Sequence, residues 1–364
     1  MTELADIFRD HGTAYRENNK QQLSSPQREA MWAIEYCRTE TFGGHVFQCG
    51  QCDEIQYSYH SCQNRHCPKC QNKAGQAWLE KQQALLLPVS YFVLTFTIPA
   101  KLKPVVYCYQ KQLYNILFRT SAQAAQKLAH DPKFVGGQIG MVGVLQTWAR
   151  DLTYHPHIHY LIPGGGLSAA GDQWLAARQD FLVPVKALSR IFRAKFRDAL
   201  RQTEFYDQVP ATVWQQKWVV HCLPVKDGVS ALKYLAPYIF RVAISNNRIL
   251  KLENDHVTFR YQDAKSGKTK YCTLPAESFI RRFLLHILPK GFIKVRYYGL
   301  FSSGNRKRLA QARKLLATVN PPATGSSRIQ AKPTASPDTV RLCPQCGQEM
   351  KRMETLTPRY RHPP

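Results

Sequence analysis

Three histidines alternate with other residues along one short stretch, HPHIHYLIPGGG, at positions 155, 157 and 159. The stretch has the composition of a β-strand, and residues two apart on a strand point to the same face, so the three imidazoles are expected side by side. Imidazole is a common ligand of divalent metals, and three of them on one face are an unusual choice for an apolar core. We therefore predict a metal site here; the alternative is a face whose histidines meet solvent or stack on bases.

A glutamine on the preceding strand is placed to join this set. Residues 138–148 and 156–163 predict two strands joined by a short polar turn, that is, a hairpin. If the turn is centred on Asp151 and Leu152, Gln146 lies opposite His157 with its side chain on the histidine face. His157, His159 and Gln146 would then be three ligands with open coordination positions, as a catalytic metal requires, and the glutamine would bind through its carbonyl oxygen.

A second kind of metal chemistry is indicated by the cysteines. Of 11 cysteines, Cys49 and Cys52 form one CxxC pair, and Cys67 and Cys70 form another after fourteen intervening residues. This spacing is close to that of a four-cysteine zinc ribbon, in which two knuckles hold one tetrahedral ion. We predict a structural zinc ion bound by these four thiolates. The neighbouring Cys62, His45, His60 and His66 are alternative ligands or a second site.

A further CxxC pair lies near the other end of the chain. Cys343 and Cys346, in CPQCG, form a possible second zinc half-site. No partner is evident nearby, and His362 is the only downstream candidate.

Two tyrosines are candidates for covalent chemistry. Tyr234 and Tyr238, in KYLAPYIFR, are four residues apart and share a helical face, although Pro237 weakens a helix at that turn. Tyrosines at this spacing usually only pack. Beside a metal-bound phosphate, however, a tyrosine can attack phosphorus and form a covalent intermediate that stores the bond energy for rejoining.

The charge of the chain points to a nucleic acid. Lys and Arg number 50 against 25 Asp and Glu, a net charge of +25, which favours a polyanionic partner. No apolar run of membrane-spanning length and no signal-peptide core is evident, so we expect a cytoplasmic protein associated with the nucleoid through DNA rather than a membrane protein. Residues 278–337 contain 12 Lys or Arg and no acidic residue. The candidates for DNA contact, with a solvated basic face as the alternative, are Arg281, Arg282, Lys290, Lys294, Arg296, Arg306, Lys307 and Arg308.

The elements that must position these residues predict an α+β fold. Strands are expected at 88–99, 138–148, 156–163 and 217–225, with a hairpin turning at Ser266 and Gly267, and helices at 24–40, 105–130, 184–203 and 229–241. We expect an N-terminal helical and zinc-binding segment at 1–84, a core with an antiparallel sheet flanked by helices at 85–300, and a basic C-terminal region at 301–364. The last region includes a Pro/Ser/Thr/Ala linker at 320–340.

Four motifs in order resemble one known family. YHSCQNRHCPKCQ, LQTWARDLTYHPHIHYLIPGGG, KYLAPYIFRVAISNNRI and FLLHILPKGFIKVRYYGL together look like the rolling-circle transposases of the insertion sequence 91 family, which are HUH (His-hydrophobic-His) endonucleases. The resemblance implies that His157 and His159 are the metal motif, that Tyr234 and Tyr238 are the paired catalytic tyrosines, and that the N-terminal cysteines bind zinc. It further implies cleavage of single-stranded DNA at transposon ends and transfer to a target, through a 5′-phosphotyrosine and a free 3′-hydroxyl, with Mg2+ or Mn2+.

The chain departs from the family pattern at one position. Where the pattern has LHTWG this sequence has LQTWA, so the third metal ligand is either Gln146 or His155. A rolling-circle replication initiator or a relaxase would share the same chemistry and is the nearest alternative. A non-catalytic zinc-ribbon DNA-binding protein is the alternative of another class.

Overall fold

The protein folds as two compact units, each assembled from separate parts of the chain. The structure is a computed structural model that describes residues 2–71, 82, 85–230, 232, 242–263, 266–319 and 340–359. The first unit comprises Met1–Ala74, Arg241–Ile287 and Ser327–Pro364, and the second comprises Gly75–Phe240 and Leu288–Ser326. Residues 241–287, which the sequence analysis assigned to the core, lie in the first unit, and residues 301–319, which it assigned to the C-terminal region, lie in the second.

The predicted α+β class, with antiparallel sheets flanked by helices, is confirmed. The α-helices are α1 (Leu4–Asn18), α2 (Ser25–Glu35), α3 (Lys103–Cys108), α4 (Gln110–Ala129), α5 (Val185–Arg201), α6 (Thr212–Gln215), α7 (Ala276–Leu284) and α8 (Arg306–Val319). The strands are β1 (Gly44–Cys49), β2 (Ile55–Tyr59), β3 (Tyr91–Thr97), β4 (Gly140–Trp148), β5 (Tyr154–Pro163), β6 (Gly165–Leu167), β7 (Trp174–Ala176), β8 (Val219–Val225), β9 (Ile249–Glu253), β10 (His256–Gln262), β11 (Thr269–Pro275), β12 (Val295–Gly299) and β13 (Met350–Leu356).

The first unit contains two small antiparallel sheets, in the strand orders β13-β1-β2 and β11-β10-β9. Aromatic side chains of α1, α7 and β10 are buried together in this unit. The ring of Phe283 lies 5.7 Å from that of Phe8, and the ring of Phe279 lies 5.8 Å from that of Phe259. Such edge and tilted contacts add to the hydrophobic free energy of burying these large side chains.

The second unit is built on a five-stranded antiparallel sheet in the order β12-β4-β5-β3-β8. One face of the sheet packs on α4 and α5. Strand residues alternate between the two faces of a sheet, and the side chains that point to this face are apolar. Phe96 contacts Phe192 of α5 with ring centroids 4.9 Å apart. The hydroxyl of Tyr160 lies 2.8 Å from that of Ser121 on α4, so the buried tyrosine has a hydrogen-bond partner.

The opposite face of this sheet changes character along the strands. At one end Val93, Val142 and Leu161 are buried in one apolar cluster with Leu309 and Leu316 of α8. Toward the other end the same face carries the polar side chains of Thr95, Gln146, His157 and His159. The helix therefore covers only the apolar part of this face.

Several sequence predictions differ in detail from the structure. The helix expected at 105–130 is divided into α3 and α4 at Tyr109, whose φ and ψ are −117° and 44°. The hairpin of β10 and β11 turns at Gly267, where φ is +68° and glycine carries no side-chain penalty. Most of the helix expected at 229–241, including Tyr234 and Tyr238, lies outside the described residues, as does linker 320–339. Among the helices described, none is long and apolar enough to span a bilayer.

Candidate functional site

The β4–β5 hairpin places Gln146 directly opposite His157, as the sequence predicted. The connecting turn is held by the backbone, since the Ala149 N–H donates to the Thr153 carbonyl at 2.9 Å. Leu152 occupies the left-handed region with φ of +66°, and the Asp151 carboxylate accepts a hydrogen bond from the Thr153 hydroxyl at 2.8 Å. The turn thereby fixes the register of the two strands.

His157 is oriented by its own strand. Its Nδ1 lies 2.6 Å from the carbonyl oxygen of His155. Because a carbonyl can only accept, Nδ1 carries the proton, and Nε2 of the neutral ring bears the lone pair that a metal would bind. The ring centroids of His157 and His159 are 4.8 Å apart, so both imidazoles border the same space.

Thr95 contacts the second imidazole from the neighbouring strand. It pairs with His159 across β3 and β5, and its Oγ1 lies 2.9 Å from Nδ1 of that ring. A hydrogen bond to one ring nitrogen directs the other toward a metal and fixes the ring orientation. Sequence reasoning missed Thr95, because nothing within the histidine strand indicates which other strand pairs with it.

Burial keeps both imidazoles neutral. It lowers the pKa of His157 to about 3, with a further contribution from the adjacent His159, and it lowers the pKa of His159 to about 4. His157 and His159 are only 8% and 7% exposed to solvent. A neutral imidazole is the form that binds a metal, so neither ring needs to lose a proton near neutral pH.

Gln146 and His155 are the two candidates for the third ligand, and both lie beside His157. Gln146 is 5% exposed and pairs with His157 on the shared face. His155 is half-buried, and its ring centroid is 5.1 Å from that of His157. In the part of the chain that the structure describes, the three histidines are not among the groups whose ligand atoms converge within 4.8 Å.

Two further groups border this face and were not found from the sequence. Burial lowers the pKa of His155 most, and the positive charge of Lys103 lowers it further. Lys103 therefore lies close to the histidines at 155, 157 and 159. His221 of β8 is exposed and pairs with Thr95, which puts it on the same face as His159. The sequence alone indicates neither residue. Lys103 begins a helix that is distant from the hairpin in the sequence, and the β8 sequence has the pattern of an ordinary strand.

The first unit contains a four-cysteine cluster at the end of α2. The Sγ atoms of Cys37, Cys62, Cys67 and Cys70 all lie within 4.8 Å of one another, and that of Cys70 is 3.6 Å from both Cys37 and Cys62. Thiolates bound tetrahedrally to zinc at about 2.3 Å are separated by roughly 3.8 Å, which these distances approach. The hydrogen bond with Cys62 lowers the pKa of Cys37.

A second cluster joins cysteines from the two ends of the chain. The Sγ atoms of Cys49, Cys52, Cys343 and Cys346 also lie within 4.8 Å of one another. Cys49 is 3.4 Å from Cys346, and Cys52 is 3.5 Å from both Cys343 and Cys346. The half-site at Cys343 and Cys346 thus has its partners in the N-terminal sheet, while the candidate His362 lies outside the described residues.

The structure corrects the predicted single site of Cys49, Cys52, Cys67 and Cys70. Cys67 and Cys70 open a helical turn, in which the Cys70 N–H donates to the Cys67 carbonyl at 3.2 Å, rather than a second hairpin knuckle. Cys62 and Cys37 complete the cluster of Cys67 and Cys70. The sequence analysis named Cys62 as an alternative ligand, but it did not name Cys37. His45 and His60 instead contact each other, with Nε2 atoms 3.4 Å apart.

The basic residues expected to contact DNA are divided between the units. Three of those in the second unit are engaged internally: Lys294 lies over Trp148, Arg296 lies over Phe118, and Arg308 donates to the Ser168 carbonyl at 2.9 Å. Arg281 and Arg282 belong to α7 of the first unit, while Lys290, Arg306 and Lys307 are exposed in the second. Their role in DNA binding stays a prediction.

Comparisons with known proteins agree with both regions. A family model described as a putative transposase matches residues 140–308, which include β4 and β5, and a model described as a transposase zinc-binding domain matches residues 7–98. The chain is 39% identical over 374 residues to the putative transposase y4qJ of Sinorhizobium fredii, covering 95% of this chain and 93% of that protein. It is 27% identical over 284 residues to the transposase for insertion sequence element IS801 of Pseudomonas savastanoi pv. phaseolicola, covering 73% of this chain and 68% of that protein.

The histidine hairpin, the cluster of Cys37, Cys62, Cys67 and Cys70, and the pair Cys49 and Cys52 therefore lie in the two segments that the family models match. A relative this similar along nearly the whole chain shares its fold and its family. The chain belongs to the insertion sequence 91 family of transposases and carries that family's zinc-binding domain.

Proposed function

We propose that this transposase cleaves and rejoins single-stranded DNA at transposon ends through a 5′-phosphotyrosine, with Mg2+ or Mn2+ bound at the β4–β5 hairpin. The observation that carries the proposal is that His157, His159 and Gln146 share one sheet face, with both imidazoles neutral. A structural core has no need for this combination, whereas a catalytic metal site does.

The donor set fits a divalent cation that must also hold a substrate. Two imidazole nitrogens and one amide oxygen are neutral ligands, and three protein ligands leave positions open for phosphate oxygens. A bound cation would polarise the scissile phosphate and stabilise the negative charge that develops on it. Imidazole does not by itself select Mg2+, so Mn2+ is the better experimental probe.

The chain's own residues then have separate tasks. His157 is held by the His155 carbonyl and His159 by Thr95, so neither ring has to reorganise when the cation binds. Lys103, near the histidine row, supplies a positive charge that can contact a neighbouring phosphate of the strand.

Tyr234 and Tyr238 are the proposed nucleophiles, and they lie outside the described residues. The phenolic oxygen of one tyrosine loses its proton and bonds to phosphorus while the bond from phosphorus to the 3′-oxygen breaks. That oxygen takes up a proton to become a free hydroxyl, so no net proton is gained or lost. Rejoining reverses the step: a 3′-hydroxyl attacks the phosphotyrosine and the tyrosine leaves. The second tyrosine permits a second cleavage before the first is resolved.

The experiment is detection of a covalent adduct. The full chain is mixed with Mn2+ and single-stranded oligonucleotides that tile the transposon ends, labelled on the side 3′ to the cut. We expect a labelled protein band that survives denaturation, and mass spectrometry should find the nucleotide on Tyr234 or Tyr238. Tyr234→Phe and Tyr238→Phe should each reduce the band, and together should abolish it, while Tyr271→Phe on exposed β11 is the matched control.

Two results would overturn the proposal. Binding without any adduct on every end sequence would favour a non-catalytic DNA-binding role. Cleavage that leaves a free 5′-phosphate and no adduct would indicate hydrolysis by a metal-bound water instead.

A further inference from the structure

The two cysteine pairs of the second cluster repeat one backbone motif. The N–H of Cys49 donates to the Glu54 carbonyl at 2.9 Å, and the N–H of Cys343 donates to the Gln348 carbonyl at 2.7 Å, five residues on in each case. The residue after the second cysteine has a positive φ in both, +56° at Asp53 and +75° at Gly347. Two knuckles with the same geometry that face each other are how a zinc ribbon presents four thiolates to one ion.

The pairs are positioned by the strands that precede or follow them. Cys49 ends β1, and Met350, its register partner, begins β13. Cys49 and Cys343 are 0% and 2% exposed, whereas Cys52 and Cys346 lie on the surface. Half of the thiols are therefore buried, and the other half are accessible to an entering ion.

Apolar burial does not explain why β13 stays on β1. The buried residues of this region are Cys49, Cys343 and Met350, with Phe47 packed against them. Val340, Leu342 and Met353 are 56%, 61% and 62% exposed. A strand attached by so small a core needs another source of free energy, which in small domains is often a metal.

Polar contacts orient the segment without holding it strongly. The Arg341 guanidinium donates to the Gln56 side chain at 3.1 Å and lies 4.8 Å from the ring centroid of Phe47. Arg359 pairs with Glu40 at 2.9 Å, but both side chains are more than half exposed, at 65% and 55%, and such pairs contribute little.

We propose that Cys49, Cys52, Cys343 and Cys346 bind a second zinc ion that attaches the C-terminal segment, residues 340–359, to the N-terminal sheet. The ion closes a sheet whose strands come from opposite ends of the chain. Its C-terminal ligands lie outside both segments that the family models match, 7–98 and 140–308. The zinc-binding domain is complete only when the C-terminal segment has bound to it.

The test counts zinc and follows β13 in the full chain. We expect two zinc ions per wild-type chain by elemental analysis and one in Cys343→Ser/Cys346→Ser. Hydrogen exchange should show amides 350–356 protected in the wild type and exchanging like an unstructured peptide in the double variant. Cys272→Ser, in β11 of the same unit but in neither cluster, is the matched control and should keep two ions and a protected β13.

A second variant guards against general misfolding. Cys346→His offers the ion an imidazole in place of a thiolate, so we expect it to retain two zinc ions and protection of β13. One zinc ion in the wild type, two in the double serine variant, or a protected β13 after the second ion is lost would each overturn the proposal. So would a disulfide within these four cysteines in protein purified under reducing conditions.

Discussion

The two units bring metal-binding side chains together in opposite ways. In the first unit, each cluster offers four thiols, which fill every position of a tetrahedral ion. In the second unit, two imidazoles and one amide share a sheet face, and as ligands they would fill only three positions of an ion. A metal ion with four protein ligands can stabilise a fold but has no coordination position left for a substrate. A metal ion with three protein ligands has such a position.

The cysteine sites of the first unit and the histidine site of the second unit also differ in net charge. Four thiolates overcompensate a divalent cation and leave the site with a net negative charge, which repels phosphate. Neutral imidazoles and an amide leave the full charge of the cation for the substrate, and burial keeps His157 and His159 in that neutral form. On the proposed function, this difference assigns DNA chemistry to the second unit and zinc-dependent folding to the first.

The largest effect is expected from removing both imidazoles. His157→Ala/His159→Ala should lower adduct formation by about a thousandfold or more, because the charge on phosphate is no longer stabilised. DNA affinity, measured by filter binding without metal, should change little, since it comes mainly from Lys and Arg contacts to phosphates. His256→Ala, an exposed histidine of the first unit, is the control. Equal losses of DNA binding and cleavage would contradict the assignment of cleavage to the histidines and of DNA affinity to Lys and Arg.

The next effect should be confined to the first unit. Cys62→Ser/Cys67→Ser removes half of the cluster at the end of α2, and a structural zinc site of this kind is worth about 10 kcal/mol in small domains. We expect one zinc ion fewer per chain and rapid limited proteolysis within residues 2–71, with fragments of the second unit persisting. If proteolysis is unchanged while a zinc ion is lost, the cluster does not support the fold.

Acid should destabilise the metal-free second unit through His157. Its folded pKa, about 3, lies below the unfolded value of 6.5. Its contribution is therefore fully present above pH 6.5 and is lost as the pH falls toward 3, because the unfolded chain takes up a proton that the folded chain excludes. In urea unfolding, His157 should account for a loss of about 2 kcal/mol at pH 5 relative to pH 7.5, in addition to the loss from His159, whose folded pKa of about 4 also lies below 6.5. His157→Gln should lack the part due to His157; an identical pH dependence in both proteins would contradict the burial argument.

The smallest effect concerns the orientation of His159. Thr95→Val keeps the shape of the side chain but removes the hydroxyl that contacts Nδ1. We expect Mn2+ affinity, measured by calorimetry, to fall by about tenfold. Thr97→Val makes the same change two residues along β3 and should leave affinity within about twofold. A larger effect at Thr97 would show that the hydroxyl of Thr95 does not position the ring.

The histidine face was predictable from sequence because its geometry is local. A tight hairpin couples turn position to register, so centring the turn on Asp151 and Leu152 was sufficient to place Gln146 opposite His157. Thr95 was not predictable in this way. Its contact with His159 depends on which strand pairs with β5, a long-range choice that alternation within one strand does not encode.

The cysteine clusters show the complementary limit. CxxC spacing indicated metal, but each pair has the same spacing, so sequence cannot say which pairs share an ion. The nearest partner was chosen for Cys49 and Cys52, whereas the fold brings Cys343 and Cys346 to them from the far end of the chain. Cys37 carries no spacing signal, because it is an isolated cysteine after α2.

The most direct test of the division between closed and open sites is a metal-binding measurement on the full chain. The zinc-loaded protein is titrated with Mn2+ and followed by electron paramagnetic resonance, with zinc counted in the same sample. We predict one bound Mn2+ per chain without zinc release, and no such binding in His157→Ala/His159→Ala, whose zinc content is unchanged. Mn2+ binding that survives the double substitution, or that displaces zinc, would contradict the account.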